Sequence, residues 1–207
     1  MIKNIIFDWS GVIKDALLSH VWAVNKMIEI MGGKEMSLEE IKENWEQPYM
    51  NFWNKYYPKL TLEEEQKLYY EVVLRKDCPE SEAYPGIIEL IKKLKQEGFF
   101  MVVLSSDSPE TLFPEMKRFD LENIFSEVVV KIHDKSEVVQ ELIKRNNFKP
   151  EETVFIGDSN HEIEAGKEAG TKTIAVTWGF CTEEKLKSNK PDFLVHNIKE
   201  LEGAILT

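Results

Sequence analysis

Apolar residues occur along this chain in two arrangements, compact runs of a few residues and stripes at helical spacing, and their order sets the layout. The opening stretch KNIIFD is a short apolar run that ends in an acid and is followed by Ser10-Gly11. It predicts a buried strand that leaves its sheet through a turn, with Asp8 at the C-terminal end. Between Asp15 and about Gly32 the residues Leu18, Val21, Trp22, Val24, Ile28 and Met31 recur at helical spacing, and Gly32-Gly33 stops the pattern. Two further helix starts carry capping boxes, Ser37 with Glu40 and Thr61 with Glu64. Residues 15–83 are therefore expected to be wholly helical. Their large aromatics, Trp22, Trp45, Phe52 and Trp53 among them, read first as a packed interior and second as the wall of a pocket.

After Tyr84-Pro85-Gly86 the pattern changes. IIELIKKLKQEG predicts a helix, FFMVVLS a strand, PETLFPEMKRF a helical connection and SEVVVK a strand. DKSEVVQELIKRN, TVFIGD, NHEIEAGKEAG and TKTIAVT continue the alternation, and a late FLV strand and a helix from Ile198 complete it. Strands that are nearly all apolar and alternate with helices imply a parallel sheet covered on both faces. The expected fold is α/β, a Rossmann-like parallel sheet core built from residues 1–14 and 84–207, with residues 15–83 inserted after the first strand as a helical cap over the strand ends.

Composition narrows the function. A chain of 207 residues with 43% hydrophobic content can bury a core of its own. Its apolar runs fall far short of the roughly 20 residues of a membrane helix, so no membrane role is expected, and MIKNIIFD lacks the long apolar core of a signal peptide. Two distant cysteines, Cys78 and Cys181, suggest neither a disulfide framework nor a zinc site and point to a reducing cytoplasm. The net charge of −11 argues against nucleic acid as a partner and means that a phosphorylated substrate would need a bound cation and a few well-placed lysines. An oligomer is possible but nothing indicates one.

Ligands of open parallel sheets bind beyond the carboxyl ends of the strands, and polar residues gather there. Strand one delivers Asp8 and Ser10, the VVL strand delivers Ser105, Ser106 and Asp107, and the VFIG strand delivers Asp158, with Glu162 on the first turn of the next helix. Asp158 and Glu162 could converge on a hard cation such as magnesium; singly, Asp158 could merely cap the helix that follows.

These stretches resemble the haloacid dehalogenase superfamily. IIFDWSGVIKD resembles its first motif, VVLSS its second, and VFIGDSNHEIEAGKEAG its fourth, in the family's order. The third, a lysine, is matched best by Lys135 in HDKSEVVQELIKR, with Lys131 as the alternative. The resemblance implies a hydrolase of a small phosphorylated metabolite in which Asp8 is the nucleophile. It further implies that Asp8, Asp158, Glu162 and the backbone carbonyl of Ser10 hold magnesium, while Ser105, Ser106 and Lys135 bind the phosphoryl oxygens. Ser10 departs from the family pattern, because its phosphatases usually carry there a second aspartate that protonates the leaving oxygen and activates water. Asp107 and His20 are the substitutes in view. The departure keeps open a dehalogenase, a phosphonate hydrolase with Lys26, Lys34 or Lys55 as a Schiff base, and a binding protein without turnover. His133 and His161 read as surface residues beside the site, and Trp178 and Phe180 as pocket wall or lid packing.

Overall fold

A computed structural model describes residues 1–206. Strand β1 (Asn4–Phe7) is followed by the short strand β2 (Lys14–Asp15) and four helices, α1 (Leu17–Ile30), α2 (Leu38–Asn44), α3 (Met50–Tyr56) and α4 (Leu62–Val73). Strand β3 (Glu82–Ala83) leads back to α5 (Ile87–Gln96), β4 (Phe100–Leu104), α6 (Pro109–Arg118), β5 (Glu127–Val129) and α7 (Ser136–Arg145). The chain closes with β6 (Thr153–Gly157), α8 (Asn160–Glu168), β7 (Lys172–Val176), α9 (Glu183–Ser188), β8 (Phe193–Val195) and α10 (Ile198–Leu206).

Six of these strands form a parallel sheet in the order β5-β4-β1-β6-β7-β8. The side-chain alternation of each strand divides the core. Ile5, Phe7, Met101, Val103, Val154 and Ile156 face α5, α6 and α10, whereas Ile6, Val102, Leu104 and Phe155 face α7 and α8 through Val139, Leu142 and Ala165. Both faces are thus apolar and covered, the arrangement that continuous apolar runs in the sequence imply.

The expectation that residues 15–83 are wholly helical needs correction. Asp15 belongs to β2, and β2 pairs antiparallel with β3, so that the outgoing and returning chains run side by side where the helices are inserted. Two-residue strands leave no periodicity to read in a sequence; they form because the two adjacent backbones satisfy each other's hydrogen bonds. The stripe on α1 also differs. His20, Ala23, Val24, Met27 and Ile28 are its buried residues, while Leu18 is 74% exposed. Both expected capping boxes are present, Ser37 with Glu40 and Thr61 with Glu64. Trp45, Phe52 and Trp53 are buried in a third apolar cluster among α1, α2, α3 and α4, joined by Phe180 from the loop after β7. Among the described residues no helix is long and apolar enough to cross a membrane.

The register of the central strands places the site. Phe7 pairs with Val103 on one side and Ile156 on the other, so the residues just beyond these positions, Asp8, Ser105 and Asp158, emerge along one edge of the sheet. Phe7 is fully buried and meets Phe125 edge-on at 6.1 Å. Phe7→Ala is expected to cost about 3–5 kcal/mol through lost burial and the cavity left behind, and Leu18→Ala less than about 0.5 kcal/mol. The shift of the urea midpoint at constant slope measures both, and equal effects would contradict the assignment of core and surface.

Candidate active site

Three acids converge at the carboxyl edge of the sheet. Asp8 follows β1 and donates its backbone N–H to the Ile156 carbonyl at 2.9 Å. Asp158 follows β6, and Glu162 lies on the first turn of α8. One carboxylate oxygen from each lies within 4.8 Å of the others, and all three side chains are buried. Lys135, at the start of α7, reaches into the group and donates from Nζ to Asp8 Oδ1 and to Glu162 Oε1, each at 2.8 Å. Lys131 does not take this place. Its backbone turns at φ 59°, and the residue is exposed.

Local sequence fixes each donor. The cap of α8 is Ser159 rather than Asp158, so Asp158 is free of that duty, and Glu162 completes a capping box with Ser159. One Glu162 oxygen accepts from the Ser159 N–H at 3.0 Å and from its hydroxyl, which leaves the other for Lys135. The N–H of Phe180 donates to Asp158 Oδ2 at 2.6 Å. Gly11 has φ 90°, and a Cβ there would fall 2.2 Å from Asp158 Oδ2, so both conformation and space require glycine in the turn after β1. At Gly157 a Cβ would fall 2.2 Å from the Glu162 Cβ. His161, expected at the surface, is buried, and its Nε2 accepts the Lys135 backbone N–H at 2.9 Å. It anchors the segment that carries the lysine.

The electrostatics are those of an acidic cluster with too little positive charge. Burial pushes Asp8 up to about 7, against the pull of Lys135. Burial and the neighbouring Glu162 and Asp8 carboxylates raise Asp158. Burial also penalises the Glu162 anion, but Lys135, His161 and its hydrogen bonds outweigh that and hold it at about 2. One ammonium cannot neutralise three carboxylates. The all-oxygen donor set, preassembled and short of positive charge, suits a hard divalent cation.

Of the hydroxyl residues expected here, Ser105 is buried and its Oγ accepts the Asp107 N–H at 3.0 Å, while Ser106 lines the adjoining cavity. Ser10 donates its hydroxyl to Asp107 Oδ2 at 2.8 Å. Lys14, which sequence reasoning missed, donates to the same oxygen at 2.8 Å and to Glu115 Oε1 at 3.1 Å, and the Trp9 indole donates to Glu115 Oε2 at 2.8 Å. Burial disfavours the Asp107 anion, but Lys14 and the Ser10 hydroxyl hold its pKa below the usual value. His20, the other substitute in view, is pushed down to about 4 by burial. Neither holds a proton ready for a leaving group near neutral pH. The signal for Lys14 was a lone lysine directly after the buried run VI, which reads as an ordinary strand end.

A cavity of about 490 Å³ opens over this edge, walled below by Asp8, Ser10, Lys135 and Asp158 and above by Trp45, Tyr49, Trp53, Glu65 and Tyr69 from the helical insertion. Phe180 lines it, whereas Trp178 packs on Tyr84 and donates its indole N–H to the Val12 carbonyl at 3.3 Å. Trp45 and Trp53 thus serve both of the roles weighed for them.

The model of the haloacid dehalogenase-like hydrolase family matches residues 5–176. The chain belongs to that family. Pyrophosphatase PpaX of Bacillus mycoides is 32% identical over 126 residues, 58% of this chain and 58% of that protein. A phosphoglycolate phosphatase of Synechococcus elongatus is 29% identical over 132 residues, 62% of each chain. This member of the family therefore spans about three-fifths of the length of these curated relatives. Among solved structures, one from Clostridium acetobutylicum described as a predicted phosphatase superposes with a TM-score of 0.86 at 24% identity, covering 100% of this chain and 99% of that one. A haloacid dehalogenase-like hydrolase from Streptococcus pneumoniae gives 0.83 at 20% identity, covering 98% of each. These likenesses establish the family's α/β fold for this chain.

Without metal, the folded protein keeps on Asp8 a proton that the unfolded chain loses near 3.8, so its stability falls as pH rises from there to about 7. Glu162 acts oppositely, adding stability above 4.5 that is lost as pH falls toward about 2. A cation bound among the ionised carboxylates offsets the first loss. A divalent cation is expected to raise the unfolding temperature more at about pH 8 than at about pH 5. Equal shifts in scanning calorimetry at the two pH values would contradict it.

Proposed function

We propose that this chain is a phosphatase of small phosphate esters in which Asp8 is the nucleophile, on the strength of one observation. Asp8, Asp158 and Glu162 are assembled around Lys135 at the floor of a cavity sized for a small substrate. The residues fit a divalent cation, magnesium in our reading, held by Asp8, Asp158, Glu162 and the Ser10 carbonyl; when bound it would neutralise the carboxylates and the phosphoryl oxygens. In this reading residues 1–14 and 84–207 form the catalytic unit and 15–83 the cap. The free thiols of Cys78 and Cys181 suit a reducing cytoplasm.

Asp8 attacks phosphorus through a carboxylate oxygen, the bond to the leaving oxygen breaks, and the phosphoryl group passes to Asp8. Water then attacks the aspartyl phosphate, releasing phosphate and restoring the carboxylate. Lys135 positions Asp8 and meets the charge that builds on the phosphoryl oxygens, with Ser106 on the cavity wall and the buried Ser105 hydroxyl as the further donors in this reading. Ser10 directs its hydroxyl to Asp107, and Lys14 keeps that carboxylate ionised, so the leaving oxygen departs without a strong acid beside it. Among esters of like charge, those of more acidic alcohols are therefore favoured over those of less acidic ones. The buried acids suited to a cation favour phosphoryl transfer over dehalogenation, which has no use for a metal site.

Magnesium-dependent phosphate release from an aryl phosphate is expected, and Asp8→Asn should abolish it. Magnesium-independent turnover, or none in protein shown to be folded, would overturn the reading. Ser10→Asp is expected to raise turnover of an alkyl phosphate on the order of a hundredfold, the worth of a general acid and base. No change in kcat would show that another group already supplies the proton.

A further inference from the structure

Glu65 is the unusual acid of the cavity. Helix α4 begins with three glutamates; Glu63 and Glu64 are exposed, and Glu64 completes the Thr61 capping box. Glu65 turns the other way, is 4% exposed, and lines the cavity on its cap side. Asp8 and Glu162 share Lys135, and Asp107 is paired with Lys14. No lysine, arginine or histidine lies within ion-pair distance of Glu65 among the described residues. The Trp53 indole favours its charged form, but burial outweighs that and pushes it up to about 7. A buried carboxyl with no counter-ion is costly and acquires either a proton or a cation.

The surroundings suit a cation. Trp45, Tyr49, Trp53 and Tyr69 wall the same end of the cavity, and aromatic faces attract ammonium groups. Lys67 and Lys131 also line the cavity, but both are exposed and remain in water. The floor presents Lys135 and a site for a divalent cation, which suit a phosphoryl group, so the two ends of the cavity differ in charge preference.

We propose that the substrate is a phosphate ester carrying an ammonium group at the end away from its phosphoryl group, with Glu65 as the counter-ion and the cap aromatics around it. The proposal rests on the phosphatase reading. A substrate anionic at both ends, such as phosphoglycolate or pyrophosphate, would place its second charge toward Glu65 and be repelled.

The test compares kcat/KM for ethanolamine phosphate and choline phosphate with that for glycerol 3-phosphate and phosphoglycolate, in wild type and Glu65→Gln. The ammonium esters are expected to lead by about tenfold or more, and the substitution, which keeps shape and removes charge, to cut that ratio about tenfold. Glu65→Lys should invert the preference. Phosphoglycolate or glycerol 3-phosphate ahead in wild type, or a ratio that ignores Glu65→Gln, would overturn the proposal while leaving the phosphatase reading intact. If no ester is turned over, the phosphatase reading fails by itself. Calorimetric titration of the Asp8→Asn protein with choline phosphate and glycerol 3-phosphate then decides the ammonium site, and equal affinities overturn it.

Discussion

The structure depends on holding three carboxylates and one ammonium together out of water. Brought in singly, each acid would carry a large desolvation cost; together they repel, and Lys135 offsets only part of that repulsion. Much else in the fold serves to keep this cluster in place. The parallel register of β1, β4 and β6 aligns the strand ends, the left-handed Gly11 carries the chain past Asp158, and Gly157 admits Glu162 against the strand. His161 fixes the backbone of Lys135 from the adjacent helix. A rigid apolar sheet, buried on both faces, is what can hold an arrangement so unfavourable in itself.

Beside the cluster lies a second buried charge group, Lys14 with Asp107 and Glu115, which takes up the hydroxyl of Ser10. The two groups divide the cavity floor. One sets a single ammonium against three carboxylates and suits a cation; the other sets Lys14 between two carboxylates that also accept from Ser10 and Trp9. The serine at position 10 is thus tied into a network of this chain's own, so its effect on chemistry concerns Asp107 and Lys14 as much as the hydroxyl itself. Above them the inserted helices contribute aromatic walls and a carboxyl without a counter-ion. The acids below and the aromatic walls above come from different stretches of sequence, joined by the short β2–β3 pair.

Periodicity and local chemistry alone predicted the order of the six sheet strands, their parallel pairing, the helical insertion, two capping boxes and the acids at the strand ends, but not β2, β3 or α9. Those features are local: apolar runs, 3.6-residue stripes and cap residues act within a few positions of one another. Membership of the family was legible for the same reason, since its motifs are short and sit at predictable element ends. What only the tertiary structure decided depends on residues distant in sequence. Lys135 rather than Lys131 faces Asp8, 127 positions away; His161 is an internal anchor rather than a surface residue; Lys14 finds Asp107, 93 positions on; and Glu65, one of three adjacent glutamates, is the one turned inward. Charged residues look alike in a sequence. Which of them is buried, and against what, is settled by how the layers pack.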